Sequence, residues 1–335
     1  NIKGTRVTSI GVNSWRIGNS LAIHPMEGCD GELDGRPGEL TFRRYQRFGA
    51  GGAKLIWFEA CAGGPDGRAN ARQLWIHSGS AAAIGQLLEE CRRAHERQFG
   101  SREGLIAVLQ LTHSGRYSTP KPLVAYHHPV LDEFPYATLS TSPPRTVPWE
   151  VAGDEYLAEL EGRFVAAAQL AREIGFDGID LKMTHGYLLA ELLSARTRPG
   201  SYGGPLENRA RCALNVLRKI RRRVGEDFLL AVRLNVYDGV PYAVSAHDSI
   251  GIPRPYPEPY PYGFGVNPQN PFEPDLEEPI KLIGWFKEAG VRLLNVSMGI
   301  PYVNPHIGRP YEKPNEGSYE PPEHPLIGVA RHFNA

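Results

Sequence analysis

Ser20-Leu21-Ala22-Ile23-His24-Pro25-Met26-Glu27-Gly28 is the stretch on which the fold turns. It reads as a short apolar strand that runs into a turn. In a doubly wound α/β sheet, the first strand normally feeds a phosphate-binding turn of the form G-x-G-x-x-G. No such turn follows here. A parallel α/β barrel has no such requirement, so the first unit favours the barrel.

Outward from this stretch, short apolar runs alternate with helical patterns. Strands are predicted at Ser20–His24, Lys54–Glu59, Leu105–Leu111, Gly178–Met183, Phe228–Asn235 and Arg292–Ser297. Helices are predicted at Leu40–Phe48, Ala81–Gln98, Asp154–Ile174, Leu206–Val224 and Leu276–Ala289. Leu105–Leu111 and Phe228–Leu234 are almost continuously apolar, as strands buried on both faces are. Asp154 is the expected N-cap of its helix, Gly175 the C′ glycine and Pro205 the N1 residue of the next helix. Alternating strands and helices imply a parallel sheet. The expected architecture is an α/β TIM (β/α)8-type barrel, one domain over residues 1–335. About six strand–helix units are countable where a closed barrel has eight. The sequence does not begin with Met and ends on an amphipathic stretch, His324 to Asn334. The last two βα units are therefore expected to be absent from it.

Of the 335 residues, 41% are hydrophobic and 22% charged, which suits one large core. A formal net charge of zero argues against a nucleic-acid surface or a polybasic membrane anchor. No apolar run approaches the roughly 20 residues of a membrane span, and no signal peptide opens the chain. Cys29, Cys61, Cys91 and Cys212 are widely spaced, without a C-x-x-C pair. A disulfide framework or a metal site is not expected, and reduced thiols in the cytoplasm are. Tyr117–Trp149 and Gly239–Pro274 are proline-rich and follow strands. They belong at the C-terminal face of a barrel, either as lids or as rigid exposed loops.

The chemistry concentrates in Asp180-Leu181-Lys182-Met183-Thr184-His185-Gly186-Tyr187. Strand alternation sends Asp180 and Lys182 to one face and Ile179, Leu181 and Met183 to the other. In a barrel the polar pair points inward. An interior lysine is costly unless it has a partner or a task. His185 and Tyr187 follow at the rim. The alternative is an Asp180–Lys182 ion pair with a surface His and Tyr. Arg233 also falls on an inward face, where it would meet an anion, an electron-rich ring edge, or Asp180 or Glu59. Gln110, ahead of His113, can donate and accept together, which suits an imide-like edge. A carboxylate-pair hydrolase on Glu59 and Asp180 is a further option.

Several runs carry a family resemblance. They are Phe176-Asp177-Gly178-Ile179-Asp180, His185-Gly186-Tyr187-Leu188-Leu189, Leu193-Ser194 and Tyr202-Gly203-Gly204-Pro205-Leu206-Glu207-Asn208-Arg209-Ala210-Arg211. With Gln110-Leu111-Thr112-His113-Ser114-Gly115-Arg116, Pro25-Met26 and Glu59-Ala60, they resemble the Old Yellow Enzyme family over nearly the whole chain. More narrowly, the chain is similar to the branch of 2,4-dienoyl-CoA reductase, trimethylamine dehydrogenase and bacterial NADH:flavin oxidoreductases. The resemblance implies FMN as cofactor and NADH or NADPH as reductant. It implies flavin contacts from the backbone of Pro25, Met26 and Glu27, from Ala60, from the Gln110 amide and from Arg233. Lys182 and His185 stand where the family has a pair that grips an enone oxygen, and Tyr187 where it has a proton-donating tyrosine. Lysine in place of the usual first histidine is a departure. Glu27 stands where some relatives carry a flavin-tuning or flavin-linked cysteine, which excludes covalent attachment there.

The expected function is hydride transfer from NAD(P)H, by way of flavin N5, to an activated C=C of a small-molecule enone or enoyl substrate. The alternative is a truncated, inactive barrel that serves as a binding or interaction module. Homo-oligomerisation and downstream iron–sulfur or nucleotide domains are left open.

Overall fold

The computed structural model describes residues 10–12, 15–119, 121–133, 136–138, 141–145, 149–314 and 317–334. Its centre is a parallel sheet of six strands: β1 (Ala22–Ile23), β2 (Leu55–Ala62), β3 (Ile106–Thr112), β4 (Gly178–Met183), β5 (Leu229–Asn235) and β6 (Leu293–Ser297). They lie in sequence order across the sheet. The four central strands are almost wholly buried and the two edge strands only partly; the main helices are α1 (Glu39–Ala50), α2 (Ala81–Phe99), α3 (Asp154–Glu173), α4 (Arg211–Val224) and α5 (Glu277–Glu288). Gly49 on α1 permits a close crossing with α2, since a Cβ there would come within 2.1 Å of the Cys91 carbonyl oxygen.

Alternation along the strands sorts the side chains as expected. Ile179, Leu181 and Met183 join the apolar layer between sheet and helices, together with Leu109, Leu111, Leu230 and Val232. The inner face splits into two storeys. The lower one is apolar: Leu55, Trp57, Ile106, Val108, Leu229 and Ala231 pack around Ile17. Ile17 comes from the antiparallel hairpin Ile10–Val12 and Trp15–Ile17, which closes that end. The upper storey, toward the C-terminal strand ends, is polar. The sheet curls so far that His24, just after β1, reaches Asn295 on β6 at 3.1 Å.

Several local expectations are corrected. Leu206–Val224 is not one helix, because it breaks at Ala210 into Leu206–Arg209 and α4. Pro205 is the N-cap of the first piece rather than its N1 residue. Gly153 caps α3, and the Asp154 carboxylate instead holds Arg198 and the Ser201 amide. Tertiary partners outbid the local cap. The proline-rich loops are not simple exposed excursions either. Tyr126 and Tyr260 are buried, the Tyr126 hydroxyl donates to the Tyr262 carbonyl at 3.0 Å, and Tyr260 meets His128 at 3.3 Å. The loops clasp each other. The brace below them is Arg209, which binds the carbonyls of Gly204 and Leu193 and the Glu278 carboxylate.

Candidate functional site

The polar storey takes its register from the strands. Lys182 is opposite Arg233, and Arg233 is opposite Asn295. One level lower, Asp180 is opposite Gln110. Parallel pairing thus places an ammonium, a guanidinium and an amide on three neighbouring strands at one height, with the Gln110 amide a level below.

Lys182 is only 4% exposed. Its Nζ lies 3.0 Å from Glu27 Oε1 and 3.8 Å from the centroid of the Tyr187 ring. Asp180, the partner weighed from sequence, is not its ion pair. The Tyr187 hydroxyl is 3.4 Å from the same Glu27 oxygen and 3.3 Å from the Tyr302 hydroxyl. Tyr117 stacks against Tyr302 at 4.1 Å, so three tyrosines line one side. Burial drives the Tyr187 phenol well above its ordinary 10. Burial also lowers the Lys182 ammonium, and Glu27 pulls it back up.

His185 occupies a left-handed backbone position, φ 65°. This conformation is uncommon for a residue other than glycine and marks a functional or strained turn. It swings the imidazole edge-on to Tyr187, 6.2 Å between ring centroids. Burial, then Lys182, Arg233 and Arg309, hold His185 well below its ordinary value, so the ring is neutral.

Gln110 Nε2 donates to Asp180 Oδ2 at 2.5 Å. Burial raises the Asp180 carboxyl to about 6. Arg233 Nη1 reaches the Pro25 carbonyl at 3.4 Å. Among the described residues, Arg233 Nε and Asp180 Oδ1 have no hydrogen-bond partner. Most buried polar groups have a partner, so each of these two calls for an explanation.

The turn after β1 is fixed from below. The Gly28 amide donates to Glu59 Oε2 at 3.1 Å, and Arg44 bridges Glu59 and Asp30. A Cβ on Gly28 would come within 1.9 Å of the Arg44 guanidinium, so a larger residue there must push that side chain aside. Pro25 is buried, while the Met26 side chain points outward and is 74% exposed. Ala60, buried beside Glu59, has its carbonyl held by Gln73 at 3.0 Å. His113 faces away from this cluster. Its Nε2 meets the Tyr156 hydroxyl at 2.7 Å, and that hydroxyl donates to Asp66.

The structure therefore gathers Lys182, His185, Tyr187 and Glu27 in direct or ring contact, with Arg233 against Pro25 and Gln110 one level below. Sequence reasoning missed Tyr302 and the Glu27 side chain, which come from distant loops with no local signal. Among the described residues, no His, Cys, Asp and Glu group is placed to hold a metal, and no helix is long and apolar enough to cross a membrane.

A family model described as NADH:flavin oxidoreductase / NADH oxidase matches residues 10–251. An NADH oxidase of Thermoanaerobacter brockii is 28% identical over 287 residues, 85% of this chain and 37% of that protein. An NADPH dehydrogenase of Bacillus subtilis (strain 168) is 26% identical over 298 residues, 87% of this chain and 72% of its own length. The chain thus spans little more than a third of the first relative and most of the second. Among solved structures, the old yellow enzyme homologue from Zymomonas mobilis superposes with a TM-score of 0.66 at 19% identity, covering 97% of this chain and 78% of that one. Morphinone reductase superposes with a TM-score of 0.65 at 19% identity, covering 98% and 77%. These two likenesses are of fold, and they place the curled sheet among α/β barrels.

Proposed function

Since this chain belongs to the NADH:flavin oxidoreductase / NADH oxidase family, we propose that it is an FMN-dependent NAD(P)H oxidoreductase acting on an α,β-unsaturated carbonyl compound. The observation that carries the reading is the convergence of Lys182, His185, Tyr187, Arg233 and Gln110 at the C-terminal ends of neighbouring strands.

The polar groups there suit a flavin. The Gln110 amide nitrogen is engaged by Asp180, which leaves its oxygen as an acceptor for an imide N–H. Arg233 has a buried Nε without a partner and would complement negative charge on the pyrimidine edge. Pro25, Met26, Glu27 and Ala60 would supply backbone contacts. When bound, FMN supplies a two-electron carrier between the nicotinamide and the second substrate.

The remaining roles belong to the protein. An ammonium has three donors, and Lys182 gives only one of them to Glu27. A second can hold a carbonyl oxygen, and the neutral His185 ring can donate beside it. Together they would stabilise the enolate that develops as the β-carbon is reduced. Tyr187 keeps its proton at every working pH because burial opposes the phenolate. It is therefore a proton donor to the α-carbon and not a base.

The test is spectroscopic. Protein titrated with FMN should quench flavin fluorescence at a one-to-one ratio. NADH or NADPH should bleach the bound flavin without oxygen, and cyclohexenone should restore the colour. Protein that ignores FMN, or a reduced complex that cyclohexenone leaves bleached, removes the reading.

A further inference from the structure

The Glu27 carboxylate touches both groups assigned above to the substrate. One oxygen, Oε1, lies 3.0 Å from Lys182 Nζ and 3.4 Å from the Tyr187 hydroxyl. The same ammonium sits 3.8 Å from the Tyr187 ring centroid. Acid, cation and phenol form a closed cluster of three. Lys182 and Tyr187 are buried, whereas the Glu27 side chain keeps 16% of its surface in solvent. The cluster has one wet edge, and it is the carboxylate.

Each member depends on the others. A buried lysine without a counter-ion sheds its proton. A buried phenol gives up a proton only at high cost, unless the proton is replaced as it leaves. Glu27 answers both needs. It also makes the site formally neutral where a lone lysine would leave it cationic. The groups around it are Lys182 and Tyr187 on the β4 side, Arg233 beyond Lys182, and Glu59, Asp30, Arg44 and Cys29 on the turn side.

We propose that Glu27 is a positioning residue that holds Lys182 charged and relays a proton from Lys182 to Tyr187. This rests on Tyr187 being the donor to substrate. As the C–H bond forms on the substrate α-carbon, the Tyr187 O–H bond breaks. Lys182 Nζ gives a proton to the Glu27 carboxylate, breaking one N–H bond, and Glu27 passes that same proton on to the Tyr187 oxygen. The site passes from ammonium and carboxylate to amine and carboxylate, with one proton gone into product. A proton from bulk solvent, entering at the exposed Glu27 edge, then restores the ammonium. No electrons move in the relay.

Two measurements on Glu27→Gln, Glu27→Asp and Tyr187→Phe test it. The first needs no turnover. Competitive acetylation with acetic anhydride, read peptide by peptide in a mass spectrometer, gives the protonation midpoint of Lys182. In Glu27→Gln it should fall by about one pH unit or more, a tenfold easier deprotonation, and Glu27→Asp should return it toward the parent. The second is the pH profile of flavin reoxidation by cyclohexenone. Glu27→Gln should slow it about tenfold, move its alkaline limb to lower pH and enlarge the solvent isotope effect, with Glu27→Asp rescuing in part. A labelling midpoint and pH profile in Glu27→Gln that superimpose on the parent, while Tyr187→Phe is slow, overturn the relay and spare the donor. A Tyr187→Phe protein as fast as the parent removes the donor itself, and the relay with it. The acetylation midpoint then reports only whether Glu27 holds Lys182 charged.

Discussion

Gln110 and Asp180 stand directly opposite each other on adjacent parallel strands, and the amide nitrogen donates to the carboxylate across 2.5 Å. The bond fixes the orientation of the amide. With one N–H given to Asp180, the amide oxygen and the second N–H remain for other partners. Gln110→Leu removes a donor from a fully buried carboxylate. The expected loss is about 2 kcal/mol of folding stability, read by urea unfolding, with weaker FMN binding in fluorescence titration. A variant as stable as the parent, binding FMN equally well, would show that the pair orients nothing.

The same aspartate gives stability a pH signature. Burial lifts its carboxyl from 3.8 to about 6 in the folded chain. The folded state therefore holds this proton more tightly than the unfolded state does. The contribution is most favourable below about pH 4 and is lost as pH rises through about 6, on the order of 3 kcal/mol in all. Asp180→Asn removes that slope while keeping an acceptor for Gln110. The difference in unfolding free energy between parent and variant should change across this window. A difference independent of pH places the carboxyl in a better-solvated setting than the structure gives it.

Two adjacent glycines precede the helix break and are needed for different reasons. A Cβ on Gly203 would come within 2.2 Å of the Arg198 carbonyl oxygen. Gly204 has open space but a φ of +80°. Gly204→Ala should cost about 1–2 kcal/mol from backbone strain alone. Gly203→Ala, which must displace backbone, should cost more, about 3 kcal/mol. Chemical denaturation orders the two, and the reverse order contradicts the close approach.

His185 should not titrate in the working range. Burial and the nearby cations Lys182, Arg233 and Arg309 oppose the imidazolium. Nitrogen-15 NMR of the ring should still show the neutral form at pH values where an ordinary imidazole is protonated. Protonation near 6.5 means that the cations are not where the structure puts them.

The strands were readable because buried parallel strands carry an almost unbroken apolar signature. Gly178–Met183 is observed at the limits its pattern implies. Inward placement of Asp180, Lys182 and Arg233 followed from period-two alternation, and Gln110 was singled out as a strand-end amide. His113, one residue past the end of β3, turns away toward Tyr156. What stayed hidden was contact at long range. Glu27 and Lys182 are 155 residues apart, and nothing local in either segment announces the other. The nearer Asp180 looked like the natural partner, but Gln110 sits opposite it in register. Asp154 failed as a cap for a related reason, since cap preference is local and Arg198 offers that carboxylate a full charge.

The inner wall changes character halfway up, from Trp57, Val108 and Ala231 to Glu59, Gln110 and Arg233. Apolar packing and buried polar chemistry therefore occupy separate rungs of the same strands. Exchanging a residue on the upper rung alters the polar layer and leaves the apolar plug beneath undisturbed. Diversification within such a scaffold can proceed one strand end at a time, with foldability inherited from below.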